Sequence, residues 1–243
     1  DSERQASGIP GISLAIVNEG GPIHLRGFGD DGRGSAISAD TPFPVGSLTK
    51  SFTALLVRQA IDAGQLDPDA PVQRYLPGFR VADETTSARI TPRHLLNQTS
   101  GFSRADGLAP LLQGSAAGID ELAGTLAEVS LNRPVGERVE YSNLNFVLLG
   151  AVLQQVTGRS WQELIRDRVL QPLDMNHSHT DHDLSRAAGM TALHRIWFGI
   201  PVAQQVTLPR GFAPTGGLVA SAGDMARYLQ MLLADGVGPE GPI

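Results

Sequence analysis

A serine and a lysine stand three residues apart in the run Gly46-Ser47-Leu48-Thr49-Lys50, and this lysine is the only one in the chain. All the other basic residues among the 19 are arginine. A guanidinium keeps its proton in a protein, whereas the surroundings can bring a lysine amine into proton transfer. At the start of a helix, this spacing places the hydroxyl and the amine on one face. Ser47 is therefore predicted to be a nucleophile, with Lys50 as the group that handles its proton.

The same spacing also fits a simpler interpretation, in which Ser47 caps the helix and Lys50 is a solvated cation in its first turn. A second motif, Tyr141-Ser142-Asn143, favours chemistry over this alternative. A phenol beside an ammonium ionises more easily and can serve as a base, and an asparagine amide can orient a substrate carbonyl. The structural alternatives for this motif are a core tyrosine at Tyr141 and a helix cap at Asn143.

The composition limits the classes of protein and partner. The chain has 243 residues, 41% of them hydrophobic, and a formal net charge of -6. This length suffices for one large domain or two closely packed ones, and the acidic balance argues against nucleic acid or an anionic membrane as the main partner. No apolar run is long enough to span a bilayer. The absence of cysteine excludes disulfides, thiolate zinc sites and a cysteine nucleophile, and we expect no cofactor.

The elements that must position these residues are predicted from periodicity and capping. Strands at 12–17 and 23–28 indicate an N-terminal hairpin. Helical spacing predicts one helix over 48–63, which carries Lys50, and another over 144–156. Shorter helices are predicted at 92–96, at 120–129, after the capping box Ser160 with Glu163, and after the capping box Ser221 with Asp224. Beyond the helical middle we expect nothing strand-like before the chain ends.

Several segments share their order and spacing with those of a known family. They are 9–17, Ser47-Leu48-Thr49-Lys50, 64–67 with 75–77, His94-Leu95-Leu96-Asn97-Gln98-Thr99-Ser100-Gly101, Tyr141-Ser142-Asn143 with 145–150, and Pro214-Thr215-Gly216-Gly217-Leu218. Through them the chain resembles the penicillin-recognising serine hydrolases, which include class C β-lactamases, D-Ala-D-Ala carboxypeptidases and related esterases. The resemblance covers essentially the whole chain.

This resemblance implies a fold. It is an α/β (α+β) fold, with an antiparallel sheet flanked by helices and a mostly helical subdomain. Residues 1–243 would form one β-lactamase-like catalytic unit. Within that unit, 1–60 and about 210–243 would belong with the sheet, and about 61–209 would form the helical subdomain.

The resemblance also implies an activity. Ser47 would form an acyl-enzyme, Lys50 and Tyr141 would manage its proton, and Asn143 would hold the acyl side chain of the substrate. The implied substrates are a β-lactam, a D-alanyl peptide of the peptidoglycan type or a simple ester. The expected location is periplasmic or secreted.

One motif of the family is missing from the sequence. Lys-Thr-Gly or His-x-Gly, which lies on a strand at the other wall of the family's site, does not occur after Lys50. In relatives this strand and the rest of the main sheet follow the point at which this chain stops, so we expect the chain to be incomplete at its C-terminus. A missing C-terminal segment or a second chain would then complete the sheet at its unpaired edge.

Two classes of function stay open. The first is an active serine hydrolase, with a class C-like β-lactamase as the first choice and a D-Ala-D-Ala carboxypeptidase or carboxylesterase as the alternatives. The second is a non-catalytic β-lactam-binding sensor or scaffold that needs a partner chain. Turnover, as opposed to a stable acyl adduct, separates the two classes.

Three further patterns have a structural explanation. His177, His179 and His182 could supply zinc ligands, but the resemblance places them in a surface loop. His94 is interpreted as a structural residue of a short helix. The glycines of 27–32 spell a dinucleotide-binding motif, but no helix is predicted after them and two carboxylates stand where a pyrophosphate would lie.

Overall fold

The computed structural model describes residues 1–106, 125–204 and 210–243. The chain divides into two compact units. The first unit comprises Asp1–Val45, Arg166–Thr207 and Leu218–Ile243, and the second comprises Gly46–Ile165 and Leu208–Gly217. Helices and short antiparallel strands occur together, which confirms the mixed α/β class. The organisation as one catalytic unit with the boundaries given above stays a prediction.

The helices are, in chain order, α1 (Ser2–Ala6), α2 (Thr49–Asp62), α3 (Glu84–Ser87), α4 (Pro92–Leu96), α5 (Asn143–Thr157), α6 (Trp161–Ile165), α7 (His182–Ala187), α8 (Ala213–Gly216) and α9 (Ala222–Leu233). A π-helical turn, Arg166–Leu170, continues α6. Short 3₁₀ turns occupy Gly46–Leu48, Val72–Arg74, Thr125–Glu128 and Arg210–Phe212. Among the described residues, no helix is long and apolar enough to cross a membrane.

The strands belong to the first unit. In chain order they are β1 (Gly11–Asn18), β2 (Gly21–Gly29), β3 (Phe43–Pro44), β4 (Leu193–Trp197), β5 (Ile200–Gln204), β6 (Val219–Ala220), β7 (Val237–Gly238) and β8 (Gly241–Pro242). Each pairs antiparallel in a two-stranded sheet, with the orders β1-β2, β3-β6, β4-β5 and β7-β8. The predicted N-terminal hairpin is thus confirmed as β1 and β2.

The β1–β2 hairpin is covered on one side by α9, which packs against both of its strands. Within the described part of the chain, β1 and β2 pair only with each other. Apolar side chains on the hairpin, such as Ile16 and Ile23, are exposed. Completion of this sheet by a further segment or a second chain stays a prediction.

The expectation that nothing strand-like follows the helical middle is wrong. Leu193 pairs with Gln204 and Trp197 with Ile200 across the β4–β5 hairpin. Its two-residue turn has positive φ at both central positions, 50° at Phe198 and 80° at Gly199. Two-residue hairpin turns need this backbone to match the twist of their strands, and glycine at the second position helps to supply it. This turn was not predicted because its first position carries a large aromatic residue, Phe198, in place of the usual Asn, Asp or Gly.

The two long predicted helices of the second unit are confirmed. The 48–63 prediction corresponds to α2, and the 144–156 prediction corresponds to α5, which ends at Gly158 with a left-handed φ of 67°. α2 and α5 pack against each other and against α8. The face of α2 that carries Phe52, Leu56 and Ala60 is fully buried, as expected for apolar residues four apart on a helix.

Of the two predicted capping boxes, the one at the start of α6 forms completely and the one at the start of α9 forms only in part. At the start of α6, the Glu163 carboxylate accepts from the amide and hydroxyl of Ser160, and the Glu163 amide donates back to Ser160 Oγ. At the start of α9, the Asp224 amide donates to Ser221 Oγ, which is only half of the predicted box. The Asp224 carboxylate accepts instead from the amide of His177 and the hydroxyl of Ser178.

Two shorter helices are predicted in the second unit. The short helix at 92–96 is α4. The first half of the predicted 120–129 helix lies outside the described residues, and its described half contains the 3₁₀ turn Thr125–Glu128.

A buried hydroxyl joins three helices of the second unit. Thr53, on α2, donates through Oγ1 to the carbonyl of Pro214 on α8 at 2.8 Å. The same Oγ1 accepts from Trp161 Nε1 on α6 at 2.9 Å. All three residues are buried. Because Pro214 precedes Thr215 on α8, this bond holds α8 against the helix that carries Lys50.

Replacing Thr53 by valine should destabilise the protein by about 2–6 kcal/mol. The substitution keeps the shape but leaves the Trp161 indole N–H and the Pro214 carbonyl buried without partners, at about 1–3 kcal/mol each. Urea unfolding monitored by tryptophan fluorescence measures the loss. The matched control is Thr85→Val at an exposed position, which should change the stability by no more than about 0.5 kcal/mol. Equal losses in the two variants would contradict this account.

Candidate active site

The turn before α2 places Ser47 at the surface and Lys50 inside. Gly46 has a left-handed φ of 53°, which a glycine adopts without strain. The 3₁₀ turn Gly46–Leu48 then leads into α2, so Lys50 lies in the first turn of that helix. Ser47 is exposed, whereas Lys50 is only 8% exposed. Lys50 is therefore not the solvated cation of the simpler interpretation.

The Lys50 amine has three acceptors within hydrogen-bond distance. Nζ donates to Ser47 Oγ at 3.1 Å, to Asn143 Oδ1 at 2.9 Å and to the Thr215 carbonyl at 2.8 Å. An ammonium carries three N–H donors, so this set satisfies all of them. A neutral amine has two N–H donors and one lone pair. It would still donate to Asn143 and Thr215 while its lone pair accepted the hydroxyl proton of Ser47.

Tyr141 lies on the other side of the serine oxygen. Its Oη is 2.7 Å from Ser47 Oγ, and its ring centroid is 5.0 Å from Lys50 Nζ. Tyr141 is 41% exposed, so it is not the core tyrosine of the alternative interpretation. Ser47 Oγ therefore has two groups within reach, Tyr141 Oη and Lys50 Nζ, that can take its proton.

Asn143 contacts both of these groups. It is the first residue of α5, and the preceding Ser142 occupies the cap position without a side-chain cap bond. The Asn143 carbonyl oxygen accepts from Lys50 Nζ and, at 3.4 Å, from Tyr141 Oη. The structure thus brings together all four residues that the sequence singled out.

The electrostatics favour proton exchange at Lys50. Burial lowers the pKa of Lys50 from the ordinary value of 10.5, and the interaction with Tyr141 partly opposes this shift. Desolvation penalises the charged form of an amine, so the neutral form becomes available at lower pH than in a solvated lysine.

A glutamine that the sequence argument left without a role holds the Tyr141–Asn143 segment in place. Gln98 Oε1 accepts from the Ser142 amide at 2.9 Å and from the Asn145 side-chain amide. The Gln98 carbonyl accepts from the Glu140 amide at 2.8 Å. Gln98 itself has a left-handed φ of 59°, which is uncommon for a side chain of this kind. The sequence feature that could have indicated this role is the position of Gln98 within the motif 94–101.

Two of the predicted structural residues lie outside this network. His94 Nδ1 is 3.0 Å from Thr91 Oγ1, and the Thr91 amide donates to it at 3.3 Å, which completes the capping box of α4. Burial lowers the pKa of His94. His177 is half exposed, and the described residues contain no group of three or more His, Asp or Glu side chains placed to hold a metal.

The site opens into a pocket of about 490 Å³. Ser47, Tyr141 and Asn143 line it, together with Arg104. Sequence reasoning did not single out Arg104, because one arginine among many carries no signal of its own. The arrangement can present a hydroxyl nucleophile, two proton-exchanging groups and an amide to a small molecule in this pocket.

Comparison with known proteins decides the family. The family model for beta-lactamases matches residues 1–241. The chain belongs to the beta-lactamase family. Membership confirms the resemblance recognised in the sequence, and it supports hydrolase activity of the type shared by beta-lactamases and penicillin-binding proteins.

Individual relatives agree with this assignment. The chain is 32% identical over 248 aligned residues to penicillin-binding protein 4 of Amycolatopsis lactamdurans, which covers 99% of this chain and 64% of that protein. The structure is similar to the octameric penicillin-binding protein homologue from Pyrococcus abyssi, with a TM-score of 0.80, 27% identity and coverage of 96% of this chain and 55% of that one.

A more distant structure confirms the expected β-lactamase-like fold. It is the D-alanine carboxypeptidase AmpC from Burkholderia cenocepacia, with a TM-score of 0.73, 24% identity and coverage of 93% of this chain and 60% of that one. This likeness concerns the fold alone. The chain spans less than two thirds of the length of each of these three relatives.

Replacing Lys50 by arginine should lower the acylation rate by about a hundredfold or more, because a guanidinium cannot give up its proton. In the wild type, the rate should rise with pH and reach its half-maximum below pH 10.5, since only the neutral form of the amine could accept the proton. The rising limb should be absent in Lys50→Arg and in the uncharged Lys50→Met. Stopped-flow acylation by a chromogenic β-lactam measures both effects. An unchanged rising limb in Lys50→Arg would exclude Lys50 as the titrating group.

Replacing Gln98 by leucine should slow acylation by about tenfold to a hundredfold, because the Tyr141–Asn143 segment loses the acceptor that positions it and displacements of about 1 Å can cost this much. Gln98→Glu is the matched control, since it keeps an acceptor oxygen in the same place and should retain most of the rate. The same acylation assay compares the two variants. A loss in Gln98→Glu as large as that in Gln98→Leu would show that the acceptor is not what matters.

Proposed function

We propose that the chain is a serine hydrolase of the class C-like β-lactamase type, which forms an acyl-enzyme through Ser47. The observation that carries the proposal is the placement of Ser47 Oγ between Tyr141 Oη at 2.7 Å and Lys50 Nζ at 3.1 Å. A serine hydroxyl is a weak nucleophile unless an adjacent group removes its proton. Here two such groups touch it in a pocket that opens to solvent.

Acylation begins when Ser47 Oγ attacks the carbonyl carbon of a β-lactam. The hydroxyl proton passes to the neutral amine of Lys50, and Tyr141 shares the proton through its bond to Ser47. The carbonyl–nitrogen bond of the lactam then breaks, and the proton is delivered to the departing nitrogen. Because that nitrogen stays tethered through the opened ring, the adduct retains the whole mass of the drug.

The transition state develops negative charge on the carbonyl oxygen. Ser47 lies in the 3₁₀ turn that leads into α2, so its backbone N–H and the positive end of the α2 dipole lie next to the nucleophile. Donors placed in this way stabilise a developing oxyanion, and loss of one such donor typically costs about a hundredfold or more in rate. Asn143, which lines the same pocket, would hold the acyl side chain of the substrate.

Hydrolysis completes the cycle when a water molecule attacks the acyl carbon and the proton relay runs in reverse. The rate of this second step separates the candidates. Fast hydrolysis makes a β-lactamase, whereas a stable adduct makes a penicillin-binding sensor. D-alanyl peptides and simple esters are the alternative acyl donors, because they need the same acylation chemistry. A β-lactam is favoured as the first probe since a 32% identical relative is named a penicillin-binding protein.

The proposal has two further parts. The location is proposed to be periplasmic or secreted, where β-lactams and D-alanyl peptides are encountered. A second chain or a further segment is proposed to complete the sheet beside β1 and β2. Both parts are independent of which acyl donor Ser47 accepts.

The test is the intact mass of the protein before and after exposure to benzylpenicillin. The wild type should gain the mass of one drug molecule, persistently in a sensor and transiently, with drug consumed, in a β-lactamase. Ser47→Ala should gain nothing, because the nucleophile is gone. Ser51→Ala is the matched control, since it removes an exposed serine from α2, the helix that directly follows Ser47, and it should still be acylated. An adduct of equal yield in Ser47→Ala would overturn the proposal, as would the lack of any reaction with benzylpenicillin, D-alanyl peptides and activated esters.

A further inference from the structure

The β4–β5 hairpin of the first unit carries apolar side chains that face solvent. Phe198, at its turn, is 91% exposed, and its ring meets that of Trp197 edge to face at 5.6 Å. Trp197 and Ile200, which pair across the two strands, are 54% and 64% exposed. An exposed apolar patch of this kind is typical of a surface that contacts a protein or a membrane.

The hairpin has an inner and an outer face. The inner face carries His194, which lies against the loop at Gly32, where a Cβ would stand 2.5 Å from the His194 Nε2 atom. Side chains alternate between the two faces of a strand, and cross-strand partners share a face. The outer face therefore consists of six residues, all of them exposed: Leu193, Arg195, Trp197, Ile200, Val202 and Gln204.

The charges of this region differ from those of the whole chain. The chain has a formal net charge of -6, yet residues 184–223 contain no Asp or Glu and three arginines, Arg186, Arg195 and Arg210. Arg195 lies on the outer face itself, with its guanidinium carbon 5.3 Å from the Trp197 ring centroid. The outer face is thus apolar, with one cation and no carboxylate. It complements an apolar layer that is bordered by negative charge.

We propose that the outer face and the turn of the β4–β5 hairpin dock onto a lipid bilayer that contains anionic headgroups. Tryptophan and phenylalanine rings favour the boundary between the headgroups and the acyl chains. Arg195 can lay its stem along the Trp197 ring and direct its charge to a headgroup phosphate. The chain would lie on the bilayer in this way without crossing it.

The acidic balance of the whole chain opposes this attachment only weakly. Salt screens exposed charges that are more than about 8–10 Å apart at physiological ionic strength. Binding is therefore governed mainly by the side chains at the contact, where Arg195 supplies the charge. The attachment uses none of the residues around Ser47, so it does not depend on the proposed function. Ser47→Ala should bind lipid like the wild type.

The experiment is co-sedimentation of the 243-residue chain with lipid vesicles. The vesicles contain either phosphatidylcholine alone or an equal mixture of phosphatidylcholine and phosphatidylglycerol. A second readout is quenching of tryptophan fluorescence by lipids brominated on their acyl chains. The chain has two tryptophans, and Trp161 is fully buried, so this quenching reports whether Trp197 enters the bilayer.

The variants are chosen so that the hairpin stays folded. Phe198→Asn removes the most exposed ring and keeps the turn, because Asn-Gly is a preferred pair for two positive-φ positions. Arg195→Gln removes the charge. Ile200→Thr and Ile23→Thr make the same change at two strand positions that are both 64% exposed. Only Ile200 lies on the outer face, so Ile23→Thr is the matched control.

The wild type should sediment with both kinds of vesicle, more strongly with the anionic ones, and brominated lipid should quench its fluorescence. Phe198→Asn should weaken partitioning by about tenfold and Ile200→Thr by about threefold, because less apolar surface leaves water. Arg195→Gln should reduce the preference for anionic vesicles by about fivefold. Ile23→Thr should bind like the wild type.

Three results would overturn the inference. In the first, the wild type binds neither kind of vesicle. In the second, Phe198→Asn and Ile200→Thr bind as well as the wild type, so the contact lies elsewhere on the protein. In the third, light scattering without lipid shows a wild-type dimer that Phe198→Asn converts to a monomer. The outer face would then cover a second copy of the chain instead of a bilayer.

Discussion

The burial of one amine is the constraint on which the site depends. Taking a lysine ammonium out of water is costly unless its N–H donors are satisfied, and loss of the proton is the alternative response. Lys50 has three protein acceptors, yet burial still lowers its pKa. The neutral form of the amine is therefore easier to reach than in a solvated lysine, and the amine lies in direct contact with Ser47. A proton relay needs an amine that can lose its proton readily, and an exposed lysine or any arginine would lack this property.

Three separate stretches of the second unit must come together to build this environment. α2 carries Lys50, the start of α5 carries Asn143, and α8 supplies only a backbone carbonyl, that of Thr215. The buried contact of Thr53 with Trp161 and Pro214 ties α8 to α2, so the carbonyl stays within reach of the amine. The contacts that hold α8 against α2 therefore also determine the distance from the Lys50 amine to the Thr215 carbonyl.

The sequence singled out Ser47, Lys50, Tyr141 and Asn143 but missed the contacts that the Thr215 carbonyl makes with Lys50 and that Gln98 makes with the Tyr141–Asn143 segment. The proximity of Ser47 and Lys50 follows from their three-residue spacing at the start of a helix, whereas no local pattern indicates that Tyr141, 94 residues further along the chain, lies next to Ser47. The Thr215 carbonyl and the Gln98 side chain act across long sequence separations, and a backbone acceptor has no residue type that could signal it. The β4–β5 hairpin was missed because Phe198 occupies a positive-φ turn position that sequence rules reserve for small residues.

The most direct test of the central claim is the titration of Lys50 itself. Since the chain contains a single lysine, labelling lysine with ¹³C at Cε gives one side-chain NMR signal that belongs to Lys50 alone. Its chemical shift, followed from neutral to strongly alkaline pH, should titrate with a midpoint below the ordinary 10.5. A midpoint at or above 10.5 would mean that Lys50 is an ordinary charged lysine, and the proton relay to Ser47 would have to be abandoned.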